Sequence, residues 1–203
     1  MNPMKTALFI LTLSLLPPLA AFAQQFEYDI PKTWIKIKPK TVETEYGRVP
    51  PEVTLLLNRK GCQWVALSPK LYKTRTRPIM TMTLLNYAEK GYALTEANLD
   101  RVFESLKADA ATGKYGRMVE GKVFTVYGVK LLRVVLDVVD PQSRQYVRTL
   151  QYYFKDGGGV AMVTCACLAV EFKTYAPIFQ ASVMTTLKPK TFGIKADEWG
   201  GRP

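Results

Sequence analysis

The stretch from Arg144 to Leu187 constrains the fold more than any other part of the chain, because it predicts three consecutive elements. Its first part, Arg144–Asp156, is rich in aromatic and β-branched residues and contains no proline or glycine, which is typical of a strand. Three glycines follow, and glycine reaches positive φ without steric cost, so the chain can reverse tightly there. The next run, Val160–Val170, is apolar on both faces. The sequence therefore predicts a β-hairpin whose second strand lies in the middle of a sheet that is covered on both sides.

After this hairpin the apolar residues recur at every third or fourth position, which predicts a helix lying on the sheet. The stripe consists of Phe172, Tyr175, Phe179, Val183 and Leu187. Pro177 falls inside the pattern. Because proline is tolerated in the first turn of a helix, we expect this helix to begin near Pro177.

The rest of the chain predicts further strands and one more helix. The helix is Thr95–Ala110, with Thr95 as its N-cap and a stripe of apolar residues along one side. Residues 35–50 read as a surface excursion. Phe26–Trp34 reads as a short strand that stops at Pro31, followed by a turn that buries Trp34. Further strand-like patterns are a second hairpin of Val53–Gly61 and Cys62–Pro69, then Ile79–Asn86 and Lys122–Asp140. Strands joined mainly by hairpins, with helices against them, define the α+β class: an antiparallel sheet with helices packed on its faces.

The N-terminus has the organisation of a secretory signal peptide. Met1–Ala23 contains a lysine at position 5, an apolar run from Ala7 to Leu16 and the small-residue pattern Ala21-Phe22-Ala23, so we expect cleavage after Ala23. The apolar run is too short to span a bilayer comfortably. Residues 24–203 then form one mature domain, which we expect to be soluble and exported to a bacterial periplasm.

The mature chain is strongly basic. It keeps 27 of the 28 Lys and Arg residues and all 17 acidic ones, a net charge of +10. Such a balance favours anionic partners, and export argues against nucleic acid. Part of the excess is local, and the candidate partner-binding residues are Arg59, Lys60, Lys70, Lys73, Arg75 and Arg77. The alternative interpretation is a solvated face that aids solubility.

Three cysteines, Cys62, Cys165 and Cys167, lie in a chain that is expected to reach an oxidising compartment. Cys165 and Cys167 are two residues apart in a predicted strand and therefore share a face. A bridge between them would strain an extended strand. We therefore predict a disulfide between Cys62 and one of the two, the alternative being three buried thiols that pack as small apolar side chains.

The sequence has no histidine, which excludes Ser-His-Asp and Cys-His catalysis and the usual zinc sites. The carboxylate pairs Asp137 with Asp140 and Glu43 with Glu45 lack any motif for acid–base chemistry. We expect no cofactor, no metal and no catalytic residue. Cys165 and Cys167 could exchange with a substrate disulfide, but a redox thiol normally needs surroundings that stabilise its thiolate.

Several of these segments resemble the PsbP-like family, which includes the PsbP subunit of the oxygen-evolving complex, DcrB-like envelope proteins and a nuclear-import factor that binds Ran. The resemblance is carried by Phe26, Pro31 and Trp34, by the helix opening NLDRV, and by the ending VTCACLAVEFKTYAPIFQASVMTTLK. The basic insertion Lys70–Arg77 departs from the family pattern. The resemblance implies an αβα sandwich and protein binding without catalysis, and it offers no catalytic residues to carry over.

These observations lead to one principal hypothesis and two alternatives. The principal one is an exported, non-enzymatic module that recognises an acidic macromolecular partner in the periplasm, such as a toxin or a component of an envelope complex. A peripheral contact with the envelope is compatible with it. The alternatives are a thiol–disulfide exchange protein that uses Cys165 and Cys167, and a carrier with a small-ligand pocket between sheet and helix.

Overall fold

The structure is a computed structural model that describes residues 26–69, 77–85, 99–113, 116–140, 143–157 and 159–188. The described helices are α1 (Pro51–Leu57), α2 (Leu99–Ala111) and α3 (Phe172–Leu187), and a short 3-10 turn, Ala169–Glu171, precedes α3. The described strands are β1 (Ile35–Ile37), β2 (Glu43–Thr44), β3 (Gly47–Arg48), β4 (Cys62–Leu67), β5 (Ile79–Leu85), β6 (Arg117–Val126), β7 (Val129–Val139), β8 (Tyr146–Asp156) and β9 (Gly159–Leu168).

Seven of these strands form one sheet in the order β1-β4-β5-β9-β8-β7-β6, with every neighbouring pair antiparallel. The predicted hairpin is confirmed as β8–β9, and β9 lies between β8 and β5, well inside the sheet. β2 and β3 form a separate small hairpin. The predicted class, an antiparallel sheet with helices on its faces, is therefore confirmed.

One face of the sheet is covered by α3. The buried side chains Phe179, Val183 and Leu187 pack on strand residues that include Tyr152 and Phe154. The N-terminal segment completes this layer: the ring of Phe26 meets Phe154 edge-on at 5.7 Å. We call this side of the sheet the α3 face.

The opposite face is covered by two shorter helices. α1 places Val53 and Leu57 on the end of the sheet formed by β1, β4 and β5. α2 covers β6 to β9 with Leu99, Val102 and other apolar residues. Helices thus lie on both sides of the sheet, which is the αβα layering that the PsbP-like resemblance implies.

Several local predictions from the sequence are wrong. The segment predicted as a strand from Val53 is helix α1, because its buried residues Val53 and Leu57 are four apart while Leu55 between them is 69% exposed. Residues 35–50 are no mere surface excursion, since β1 joins the sheet edge and Ile37 is buried. The last helix begins at Phe172, five residues before Pro177, and follows the 3-10 turn.

The first described residues, predicted as a strand, instead form an irregular segment that is fixed by a buried carboxylate. Asp156, at the end of β8, accepts hydrogen bonds from the backbone N–H of Phe26 at 3.1 Å and from the hydroxyl of Tyr28 at 2.7 Å. The N–H of Asp29 donates to the hydroxyl of Thr186 in α3. The segment therefore depends on partners at the far end of the chain.

A second buried carboxylate ties β6, β7 and β8 together. Asp137 accepts two hydrogen bonds from Arg148, at 2.6 and 2.8 Å, and one from Arg117 at 3.1 Å. The guanidinium of Arg148 also lies 5.3 Å from the ring centre of Phe172. The hydrogen bonds from Arg148, supported by Arg117, hold the pKa of the Asp137 carboxyl below its ordinary value although burial opposes them.

We predict that Asp137→Asn lowers the free energy of unfolding by about 3 kcal/mol at neutral pH. This is the lower end of the range for a broken buried ion pair, because both arginines can still reach water. A carboxyl with a lowered pKa stabilises the fold above its unfolded pKa, and that contribution is lost as pH falls through the folded value. Urea unfolding at several pH values should therefore show the difference from wild type shrinking below about pH 4.

The matched control is Glu120→Gln, which breaks the exposed ion pair with Arg133 on the neighbouring strands. It should change the free energy of unfolding by less than about 1 kcal/mol. Equal effects of the two substitutions would contradict the role assigned to Asp137.

Candidate functional site

An open cleft of about 950 Å³ lies between the C-terminal half of α2 and strands β7 and β8. Its roof comes from Leu106 and Ala110 of α2, and its floor from alternate residues of the two strands. The floor residues are Leu136 and Val138 on β7 and Thr149, Gln151 and Tyr153 on β8. We call this cavity the α2 cleft.

The α2 cleft exists because the apolar stripe of α2 ends in a small residue. Leu99, Val102, Phe103 and Leu106 fill the space above the sheet, and the next position of the stripe is Ala110. A side chain that ends at Cβ leaves open space between this part of α2 and the strands, in the cleft that Ala110 and Thr149 both line. The small residue at the end of the stripe is visible in the sequence. It indicates a cleft only once the strand residues beneath α2 are known.

The N-terminal half of α2 is fixed close to the sheet, so the α2 cleft does not simply close. Gly121 of β6 lies under the ring of Phe103, and a Cβ at that position would stand 2.1 Å from the ring. Nζ of Lys130, at the start of β7, donates to Oδ2 of Asp100 in α2 at 2.8 Å. These contacts set the height of the helix above the strands.

The floor of the α2 cleft offers hydrogen-bonding groups without a strong charge. The hydroxyl of Tyr153 donates to Oε1 of Gln151 at 2.8 Å, which orients the amide so that its nitrogen can donate elsewhere. Asp109 of α2 adds a carboxylate, while the cation Arg117 is engaged by Asp137. At the rim, Tyr146 and its cross-strand partner Val139 are 62% and 48% exposed.

The structure divides the predicted basic surface. Arg59 and Lys60 lie exposed just after α1, whereas Lys70, Lys73 and Arg75 lie outside the described residues. Arg77 is only 6% exposed and forms an ion pair with Glu52 of α1. The prediction that Arg77 contributes to an exposed partner-binding surface is therefore wrong, because its guanidinium is taken up between α1 and the start of β5.

The predicted disulfide is also wrong: Cys62, Cys165 and Cys167 are all buried and unbonded. Cys62 packs beneath α1, whereas Cys165 and Cys167 pack beneath α3, so the sheet lies between them. A β-bulge between Cys62 and Trp64 is the physical reason. Residues two apart in a regular strand share a face, but the bulge leaves Trp64 on the α3 face and turns Cys62 to the other.

The surroundings of the three thiols keep them protonated. Burial raises the pKa of Cys62 and, further, that of Cys165. Burial also raises the pKa of Cys167 to about 12, and the Glu171 carboxylate acts in the same direction. Since the thiolate is the nucleophile in disulfide exchange, this arrangement weighs against the thiol-exchange alternative. Within the described part of the chain, no cluster of Cys, Asp and Glu is arranged to hold a metal ion.

The fold and its cleft define an α+β protein in which an antiparallel sheet is sandwiched between helices. No family profile and no curated protein matches the chain. Among the described residues, no helix is long and apolar enough to cross a membrane.

The solved structures that are similar to it include these three. A Pseudomonas aeruginosa protein of unknown function, PA94, is 11% identical over 86% of this chain and 90% of its own, with a TM-score of 0.44. The cyanobacterial PsbP protein CyanoP of Synechocystis sp. PCC 6803 is 10% identical over 80% of this chain and 85% of its own, with a TM-score of 0.47.

LpqN of Mycobacterium tuberculosis, described as involved in cell envelope biogenesis, is 9% identical over 77% of this chain and 79% of its own, with a TM-score of 0.42. One of the three structures is a PsbP protein. The likeness is one of fold, and it carries no ligand and no site residue to this chain.

We predict that none of the three thiols reacts with Ellman's reagent at pH 8 in the native protein, and that all three react after unfolding in guanidinium chloride. Burial and the raised pKa values are the reasons. The assay needs no reductant beforehand. Fewer than three thiols in the unfolded, unreduced protein would indicate a disulfide, and rapid reaction of the native protein would revive the thiol-exchange alternative.

Proposed function

We propose that the protein is an exported binding protein without catalytic activity and that the α2 cleft holds its ligand. The observation that carries this proposal is the cleft itself. Its volume, about 950 Å³, lies at the upper end of the range of about 300–1,000 Å³ that is usual for ligand sites. Its lining combines apolar walls with a few oriented polar groups, which is the usual composition of such sites.

The lining supports binding rather than chemistry. Among the described lining residues, Asp109 is the one charged group without an ion pair, and a single such carboxylate beside an amide provides neither a nucleophile with its base nor an acid–base pair. The sequence offers no histidine to complete such a set. The phenol rings, the Gln151 amide and the Thr149 hydroxyl fit a ligand of mixed polarity without a strong charge.

Export is part of the proposal, and it rests on the signal peptide pattern of Met1–Ala23. We place the mature protein in the bacterial periplasm.

We predict that Ala110→Phe abolishes ligand binding because the added ring occupies the α2 cleft above Thr149. The cleft is open to solvent, so the ring can be accommodated, and the free energy of unfolding should change by less than about 1 kcal/mol. The measurement is a ¹H–¹⁵N NMR titration with the low-molecular-mass fraction of an envelope extract. Wild type should show shifts centred on the amides of Thr149 and Gln151, and the variant should show none.

Ala108→Phe is the matched control, because residue 108 lies on the exposed side of the same helix. It adds the same ring and should leave the titration unchanged. Identical shifts in wild type and Ala110→Phe, or shifts that avoid β7 and β8 altogether, would contradict a site in the α2 cleft.

Recognition of an acidic macromolecular partner is a second candidate function, and the net charge of +10 favours it. Candidate partners are a toxin, for which this chain would be the immunity protein, and a component of an envelope complex. Among the described residues, Arg59 and Lys60 remain exposed for such a contact. Lys70, Lys73 and Arg75 would add to the same basic region of the sequence.

For this second candidate we predict that Lys73→Glu combined with Arg75→Glu weakens partner binding and its dependence on salt, because rim charges act through long-range attraction. The measurement is a pull-down from envelope extract at low and moderate salt, followed by affinity measurement on the captured protein. Circular dichroism should show an unchanged fold. Affinity equal to that of wild type would remove these residues from the interface.

A further inference from the structure

A second cavity, of about 470 Å³, lies beside the start of α1. Residues from three places in the chain line it: the β2–β3 hairpin, the link into α1, and the residue two positions before β5. They are Tyr46, Gly47, Arg48, Pro50, Pro51, Glu52 and Arg77. We call this cavity the Arg77 pocket, because that side chain is the buried cation within it.

The guanidinium of Arg77 is only partly satisfied. Its Nη2 donates to Oε1 of Glu52, but its Nη1 is buried and has no acceptor among the described residues. A buried donor without an acceptor costs about 1–3 kcal/mol, and more when it is charged. Native proteins rarely leave such a group unpaired, so this donor is suited to an oxygen of a bound group.

The charged residues that line the Arg77 pocket favour an anion. Two arginines, Arg48 and Arg77, line it together with the single carboxylate of Glu52, so its formal charge is positive. Arg48 is exposed, and no ion pair engages it within the described part of the chain. Pro50 and Pro51 have no N–H to donate, so the guanidinium groups carry the attraction.

We propose that the Arg77 pocket binds an oxyanion, the phosphate or carboxylate end group of a ligand, with Nη1 of Arg77 donating to one of its oxygens and Arg48 closing on it from the rim. The planar guanidinium suits both groups because its N–H donors match the spacing of their oxygens. The two proline rings form a rigid wall. This site lies on the α1 side of the sheet and goes beyond the function proposed for the α2 cleft.

The test is a pair of ¹H–¹⁵N NMR titrations of the mature protein, one with inorganic phosphate and one with sodium acetate, at ionic strength held constant with sodium chloride. We expect saturable shifts of the Arg48, Glu52 and Arg77 signals, including the side-chain Nε–H of Arg77. Shifts with phosphate alone would indicate a phosphorylated ligand. Shifts with acetate would indicate a ligand with a carboxylate, such as an acidic side chain. No saturable shift with either anion would overturn the proposal.

Substitutions test which residues of the Arg77 pocket bind the anion. Arg77→Gln should weaken binding about tenfold or more, the loss expected for a charge-assisted hydrogen bond. Arg59→Gln removes the same charge from the exposed end of α1 and should leave binding unchanged, as should Ala110→Phe in the α2 cleft.

Should Arg77→Gln fail to fold, the exposed Arg48→Gln carries the test and should weaken binding severalfold. A folded Arg77→Gln protein that binds as tightly as wild type would overturn the proposal. Equal losses in Arg48→Gln and Arg59→Gln would do the same, because they would indicate attraction to net charge alone.

Discussion

The structure depends on the burial of the β8–β9 hairpin on both of its faces. On β9, Cys165 contributes to the core beneath α3, while Val160 contributes to the core on the opposite face. A strand that is apolar on both sides must be covered twice, because exposed apolar surface on either side is unfavourable. Everything else follows from that requirement: neighbours on both edges of the hairpin, and helices above and below the sheet.

The two faces are covered unequally, and this explains the α2 cleft. The 13 residues of α2 extend about 20 Å at 1.5 Å per residue, whereas the 11 residues of β8 extend about 36 Å. The helix starts where Leu99 meets Val160 and ends before it has covered the strand. The uncovered floor carries Thr149 and Gln151, side chains suited to contact with water or a ligand.

Elements that a local residue pattern determines could be predicted from the sequence. Features that depend on how several elements pack together could not. The β8–β9 hairpin was predictable because alternation and a glycine turn coincide. Helix α1 was mistaken for a strand because a short apolar run has no decisive period, although Pro51 at its first position was a helix signal. The faces of Cys62 and Cys165 depend on a bulge in β4 and on the intervening strand β5, neither of which the residue spacing specifies.

A count of charges could indicate the kind of partner but could not locate its site. Arg77 looked like one more member of a basic segment, and only the packing of α1 against β5 removes it from the surface. Burial changes what an arginine can do: an exposed one attracts anions weakly and without geometry, while a buried one with an unused donor fixes the position of a single oxygen. The basic character of the chain and the specificity of a binding site are therefore separate properties, and burial with an unused donor makes Arg77 a candidate for the second.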